Sequence, residues 1–148
     1  MRSIFLLFES DLINDISEFL DKYCNSCSGT FPVRQWIVTK DNNPCLYIDN
    51  IPVEESDMYF DDTGGVPLPY SQMKNPIVWM VDISGRHDGT TEVIELATAL
   101  LSKFSMYCMD DYTNHCWTYE EIIKKAEIEG HKFFDYMGWY EENKERVN

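Results

Sequence analysis

The segment at residues 76–83, PIVWMVDI, constrains the fold more than any other part of the sequence. It is short, apolar and rich in β-branched and aromatic side chains, which is typical of a strand in the middle of a sheet. A central strand needs a hydrogen-bonded neighbour on each side and other elements that cover its faces. The rest of the chain must therefore supply further strands and at least one packing layer.

Four further segments have strand signals. Residues 3–8 form a continuous apolar run that polar residues end. Residues 34–39 and 45–51 flank a polar cluster of turn residues, and this pattern predicts a β-hairpin. Residues 105–108 form a short fifth strand, so the sequence predicts a sheet of about five strands.

Helical periodicity is strongest over residues 11–25, where Leu12, Ile16 and Phe19 share one face and Ser28-Gly29-Thr30 follows as the end of the helix. A second apolar stripe runs from Val93 to Phe104 and predicts another helix, with Asp88 or Thr90 as the candidate cap.

Further helices are predicted near the C-terminus. A capping box, Thr118 with Glu121, begins one of them, and residues 132–145 form another that is interrupted or ended at Gly138.

This order of elements predicts one α+β domain over residues 1–148. The expected architecture is a two-layer sandwich, with a mostly antiparallel sheet, helices on one face and extra C-terminal helices. Residues 53–75 carry glycine, proline and acidic residues without a sustained period, so they are predicted to be an irregular acidic loop. Long irregular segments in compact domains are usually functional or mobile.

Negative charge is concentrated in the middle of the chain. Fifteen acidic and three basic residues lie between Asp41 and Glu121, which accounts for −12 of the total net charge of −14. A field of this sign repels nucleic acid and anionic lipid and attracts basic protein surfaces. We therefore expect a protein partner, and neither nucleic acid nor a membrane.

The sequence also argues against several chemical roles. The N-terminal apolar run, residues 4–8, is too short for a secretory segment, and the five cysteines form an odd set, so we expect a cytoplasmic protein with reduced thiols. Cys24 and Cys27 fall near a predicted helix end, unlike the helix start of a redox site. Nothing near Cys108 or Cys116 resembles a nucleophile signature. No catalytic residue, metal site or cofactor is predicted.

Two polar loops keep an enzymatic alternative open. Asp110, Asp111 and His115 lie before the capping box, and His87 follows the central strand. If these loops lie at the same end of the sheet, the side chains could serve a small metal-dependent enzyme. The sequence does not decide the direction of the strands. The more common role of such residues is turn formation and helix capping.

The acidic loop has the composition of a protein interface. Tyr59 and Phe60 stand next to Asp61 and Asp62, and buried interface centres are enriched in aromatic residues. We predict that the partner-binding residues combine this loop with the turn after the last strand. They are Glu54, Glu55, Asp57, Tyr59, Asp61, Asp62, Asp110 and Asp111.

In size, acidity and α/β layout the chain resembles the immunity proteins that bacteria co-produce with secreted or contact-delivered toxins, including those of contact-dependent inhibition and polymorphic toxin systems. This resemblance implies a monomer or weak homodimer that binds one cognate toxin domain and covers its active site. Many such toxins are basic nucleases, which an acidic inhibitor would complement. The alternatives from other classes are the metal-dependent enzyme, a nucleic-acid mimic and a self-associating structural module.

Overall fold

A computed structural model describes residues 2–30, 33–50 and 68–143 of the chain. The strands among these residues are β1 (Ser3–Glu9), β2 (Ser26–Thr30), β3 (Val33–Lys40), β4 (Asn43–Asp49), β5 (Pro76–Ile83) and β6 (Tyr107–Asp110). They form a sheet of six strands in the order β2-β3-β4-β5-β1-β6. All neighbouring strands are antiparallel.

The helices of the described ranges vary in length. They are α1 (Ile13–Tyr23), which follows a 3-10 turn at Ser10–Leu12, then α2 (Leu68–Gln72), α3 (Thr90–Lys103), α4 (Tyr119–Ile123) and α5 (Tyr136–Asn143). Together with the antiparallel sheet, these helices confirm the predicted α+β class. The sheet has one strand more than the sequence predicted.

The segment PIVWMVDI occupies the interior position that its composition predicted. It forms β5, which pairs with β1 on one side and β4 on the other. Its residues alternate between two environments, because successive side chains of a strand point to opposite faces. Ile77, Trp79, Val81 and Ile83 belong to the main core, whereas Val78 belongs to a smaller cluster on the other face.

The main core lies between the sheet and the two longest helices. Its centre is aromatic: the rings of Trp36 and Trp79 stack with centroids 5.4 Å apart, and Phe8 meets Trp79 edge to face at 5.0 Å. The helix side chains that complete this layer are all fully buried, and they are Ile16, Leu20, Val93, Leu96, Ala97 and Leu100. The helices α1 and α3 therefore cover one face of the sheet, as predicted.

The opposite face carries a smaller apolar cluster. Leu7, Val78 and Met109 are buried there with Tyr70 of α2 and with Cys116. The short helix α2 thus packs on the face that α1 and α3 leave uncovered. The residues of α2 fall within the predicted irregular loop at 53–75, and their five-residue helix is too short for a helical period to show.

Two local predictions are confirmed in detail. The hairpin of β3 and β4 turns through Asp41 and Asn42, which both have positive φ, at 53° and 64°. This backbone is typical of a two-residue turn that matches strand twist. The capping box is also present: Thr118 Oγ1 accepts the Glu121 amide, and Glu121 accepts the Thr118 amide at 2.9 Å. Both patterns depend on neighbouring residues only.

Three predicted element bounds were wrong. Residues 28–30 do not simply end the first helix but belong to β2, whose backbone pairs with β3 despite turn-forming residues. The last strand spans residues 107–110 instead of 105–108, because β1 pairs Leu7 with Tyr107 and Ile4 with Asp110. The last helix begins at Tyr136 and continues through Gly138, which is neither a break nor an end.

Gly138 is explained by close packing. A Cβ atom at this position would collide with the Asp135 carboxylate, which accepts the Gly138 amide at 3.1 Å, and would lie 2.9 Å from His131 Nδ1. Asp135 thereby satisfies an amide in the first turn of α5. The absence of a side chain at Gly138 lets the helix start against this carboxylate and histidine.

Candidate functional site

The strand directions bring two polar loops to the same end of the sheet. The strands β5 and β6 both pair with β1 and both run antiparallel to it, so both end beside the first residues of β1. In the register Ser3 lies opposite Asp82, and Ile4 lies opposite Asp110. The loops that follow β5 and β6 are therefore neighbours, with the start of β1 between them.

Arg2 joins the elements at this end. Its guanidinium donates hydrogen bonds to the backbone carbonyls of His87, at 2.5 Å, and Asp88, and its Cζ lies 4.6 Å from the ring centroid of Tyr136. The Tyr136 hydroxyl donates to the Asp88 carboxylate at 2.5 Å. These contacts tie the start of β1 to the loop after β5 and to α5.

Asp88 is held as an anion by this network. Hydrogen bonds from Thr90 and Tyr136, together with the positive charge of Arg2, lower its pKa to about 2. Its Oδ1 atom accepts the Thr90 amide at 3.0 Å, so Asp88 satisfies the first amide of α3. The N-cap residue itself is Gly89, so the prediction of Asp88 or Thr90 at that position was wrong. The charge that Arg2 brings to this end is compensated at close range by Asp88.

Asp110 has a structural role at the end of β6. The residue is only 3% exposed, and its oxygens accept the amides of Tyr112 and Thr113, both at 3.2 Å, and of Phe134 at 3.0 Å. Burial raises its pKa, although these hydrogen bonds oppose the rise. Asp110 was predicted as a partner-binding residue, but it has almost no surface to offer a partner.

Asp111, the next residue, is exposed. Its Oδ2 atom accepts the Ser3 amide at 3.0 Å, which holds the carboxylate beside the start of β1. Partial desolvation raises the pKa of Asp111, the Ser3 hydrogen bond opposes this rise, and the negative charges of Asp110 and Asp82 add to it. The neighbouring carboxylates therefore repel one another, and a cation placed among them would be stabilised.

The other six predicted partner-binding residues lie outside the described residues. Glu54, Glu55, Asp57, Tyr59, Asp61 and Asp62 all fall within residues 51–67. Their assignment to a partner surface stays a prediction.

The histidines of the enzymatic alternative have separate surroundings. His115 Nε2 lies 2.8 Å from Glu121 Oε2, and its ring meets Trp117 edge to face at 4.9 Å. His87 lies in the loop after β5, and its backbone carbonyl accepts a hydrogen bond from the Arg2 guanidinium. Within residues 2–30, 33–50 and 68–143, no three His, Cys, Asp or Glu side chains are grouped so that they could hold a metal ion.

The cysteines are free thiols in unlike positions. Cys24 is the C-cap residue of α1, which confirms the predicted helix-end position for this one member of the CxxC pair, and burial raises its pKa to about 12. Cys27 is exposed on β2, where its sulfur accepts a hydrogen bond from Arg34 at 3.1 Å. Burial also raises the pKa of Cys108, and it raises that of Cys116 to about 11. These high pKa values disfavour the reactive thiolate form.

An aromatic recess beside Asp111 was not predicted from the sequence. It has a volume of about 500 Å³ and is lined by Arg2, Asp111, Tyr112, Tyr136, Trp139 and Tyr140. The rings of Tyr112 and Trp139 are nearly parallel with centroids 6.2 Å apart, and Tyr140 is 64% exposed. Aromatic residues spaced i, i+3 and i+4 on α5 could have indicated this wall. Arg2 and Asp111 come from the start of the chain and from another loop, so no local pattern includes them.

Comparisons with known proteins identify no relative of this chain, so what is established is its fold class. No protein-family model, no characterised protein and no solved structure matches this chain. In the part of the chain that the structure describes, no helix is both long enough and apolar enough to span a membrane.

His131 anchors α5 through a pair of carboxylates. Its Nδ1 atom lies 3.0 Å from Asp135, its Nε2 atom contacts Glu142, and its ring stacks on Trp139 with centroids 4.5 Å apart. Hydrogen bonds with Asp135 and then with Glu142 raise the pKa of His131. Two acceptors on opposite ring nitrogens favour the doubly protonated, positive imidazole.

We expect the contribution of His131 to stability to depend on pH. Because its pKa is raised in the folded state, the stabilisation is fully present below the unfolded value of about 6.5 and is lost as the pH rises through the folded value. Thermal unfolding of wild type and His131→Gln should show the largest difference in Tm at about pH 6, and a smaller difference at about pH 9. The variant Asp135→Asn should weaken this pH dependence. A Tm difference that is constant over the range would contradict the interpretation.

Proposed function

We propose that this chain is an immunity-type binding protein that neutralises a basic toxin domain through an acidic surface. The observation that supports the proposal most is the collection of polar groups at one end of the sheet. Asp88 and Asp111 come from two different loops, and aromatic side chains of α5 adjoin them: Tyr136 contacts Asp88, and the exposed Tyr140 lines the recess beside Asp111. Carboxylates around aromatic side chains are suited to a basic protein surface.

The charge distribution supports the same proposal. Several acidic residues of the block between Asp41 and Glu121 are engaged within the fold: Glu92 pairs with Lys40 at 2.8 Å, Glu120 lies 3.7 Å from Lys124, and Glu121 belongs to the capping box. The five acids at positions 54, 55, 57, 61 and 62 have no basic residue near them in the sequence. We propose that they belong to the partner surface together with Asp111. The buried Asp110 stabilises the turn that carries Asp111, because it accepts the amides of Tyr112 and Thr113.

In this proposal the acidic surface acts in two steps. Its negative field first attracts the basic toxin domain and accelerates association. The bound protein then covers the basic groups that the toxin uses on its own substrate. Such a mechanism requires neither a reaction nor a cofactor of the immunity protein. It makes association strongly dependent on ionic strength, because salt screens exposed charges.

The proposal is tested with the protein encoded by the neighbouring gene. We expect co-expression to restore growth of cells that produce that protein, and the two purified chains to form a stoichiometric complex in size-exclusion chromatography with light scattering. The association rate constant should fall by about tenfold or more between low and high salt. If the two chains do not bind and cells are not protected, the assignment as an immunity protein is wrong.

Two matched variants test where the acidic surface lies. The first neutralises Glu54, Glu55, Asp57, Asp61 and Asp62 by conversion to Gln and Asn. The control neutralises the same number of Glu and Asp residues at exposed positions elsewhere, namely Asp11, Asp15, Asp41, Glu127 and Glu129. Both variants lose five negative charges, so equal slowing of association would mean that the net charge matters and the position does not. We expect the first variant to be slower.

A further inference from the structure

The aromatic recess beside Asp111 already holds one guanidinium. Arg2 lies with its Cζ 4.6 Å from the Tyr136 ring centroid, inside the distance at which a cation is attracted to an aromatic face. The remaining aromatic wall consists of Tyr112, Trp139 and Tyr140, of which Tyr140 is the most exposed. The recess is thus built from side chains that favour a cation. Arg2 contacts the face of Tyr136, and Trp139 stacks on His131 and lies parallel to Tyr112, so Tyr140 offers the most open ring.

The charges around the recess favour a second cation. The guanidinium of Arg2 is directed to the His87 and Asp88 carbonyls, and the anionic Asp88 lies in the same network. Asp111 stands at the rim, and the Ser3 amide occupies one of its oxygens, Oδ2. A carboxylate offers about four lone-pair sites. Asp111 can therefore accept further hydrogen bonds from a bound donor.

We propose that this recess binds an arginine side chain of the protein partner, stacked on Tyr140 and paired with Asp111. The inference rests on the proposed function only for the source of that arginine. The recess is formed entirely by described residues and does not involve the five acids between positions 54 and 62. It adds a specific anchoring contact to the long-range attraction of the acidic surface.

Arginine fits this recess better than other side chains. Its planar guanidinium stacks on aromatic rings and pairs with a carboxylate through two N–H groups, whereas the lysine ammonium is a compact and strongly hydrated charge. A partner carboxylate would be repelled by Asp111 and by the aromatic faces. An apolar side chain would fill the volume and leave the Asp111 carboxylate without a cation to pair with. These other occupants are outcomes that the experiment separates.

The recess can be tested without the toxin. The chain has four tryptophans, so a 15N-labelled sample gives four indole signals, and Trp139→Phe identifies the one that lines the recess. Titration with N-acetyl-arginine amide should shift the Trp139 signal saturably, with a dissociation constant of about millimolar order. N-acetyl-citrulline amide has the same shape without the charge, and it should give little shift. An equal response to citrulline would show an apolar recess and overturn the proposal.

Matched variants separate the recess from the overall field. Asp111→Asn and Asp41→Asn remove the same charge from exposed positions, and the amide oxygen at position 111 can still accept the Ser3 amide. We expect Asp111→Asn to weaken arginine amide binding about threefold or more, and Tyr140→Ala to do the same, whereas Asp41→Asn should leave it nearly unchanged. If Asp111→Asn and Asp41→Asn behave alike, arginine is attracted by net charge and the recess is not its site.

The complex with the neighbouring gene product gives a separate readout. If that complex forms, Asp111→Asn and Tyr140→Ala should accelerate its dissociation relative to Asp41→Asn, because contacts within an interface act mainly on the dissociation rate. A complex that forms and is insensitive to both variants would overturn the anchoring role while leaving the immunity function standing. If the recess binds arginine amide but no complex forms, the proposed immunity function is wrong, while the arginine-binding site in the recess remains supported.

Discussion

Replacing Asp110 by alanine is expected to lower the free energy of unfolding by about 3–5 kcal/mol. The carboxylate accepts three backbone amides, those of Tyr112, Thr113 and Phe134, and the residue is almost fully buried. Alanine would leave these donors without their partner. The buried Phe134 amide is the costliest of them, because water has least access to it. The loss should appear as a lower urea midpoint with an unchanged m-value.

Two further variants control this prediction. Asp111→Ala removes the adjacent carboxylate, which is exposed and accepts the Ser3 amide, so it should lower the free energy of unfolding by only about 1 kcal/mol. Asp110→Asn keeps an acceptor oxygen for some of the amides and should fall between the two. If Asp110→Ala costs no more than Asp111→Ala, the carboxylate does not organise this end of the sheet.

Gly89→Ala is expected to cost about 2–4 kcal/mol, because it combines backbone strain with a collision in the core. Gly89 has φ of +74°, a conformation that favours glycine. An added Cβ would lie 2.5 Å from Cγ2 of Ile83, which is only 2% exposed and packs in the main core. Neither the helix start nor β5 can move without disturbing the other. Urea unfolding monitored by tryptophan fluorescence measures the cost.

Gly130 offers the matched control for the backbone term. It has φ of +85°, and an added Cβ would meet nothing within 4 Å. Gly130→Ala should therefore cost only about 1 kcal/mol, the strain of the left-handed conformation. The collision itself is measured by introducing Gly89→Ala into an Ile83→Ala background, where the cost should fall towards that of Gly130→Ala. Equal costs for both glycines in the wild-type background would exclude a collision with Ile83.

The elements that were predicted correctly are those in which neighbouring residues carry the signal. Residues 76–83 form β5 with the bounds that the sequence predicted, and the capping box of Thr118 and Glu121 has both of its hydrogen bonds. The period of α1 and the turn between β3 and β4 are likewise properties of short segments. The incorrect element bounds occur where the structure of a segment depends on pairing with another segment of the chain. Residues 28–30 were predicted as the end of the first helix, yet they belong to a strand because β3 is beside them.

The candidate site shows the same division. The sequence alone determined the acidic block, the class of the fold and the polar character of the loops after β5 and β6. Only the tertiary structure decided that both loops lie at one end of the sheet, because that depends on β1 pairing antiparallel to both strands. It also buried Asp110, left Asp111 exposed and placed Arg2 against Tyr136. Adjacent aspartates are alike in sequence, and they differ because burial and hydrogen-bond partners depend on segments far away in the chain.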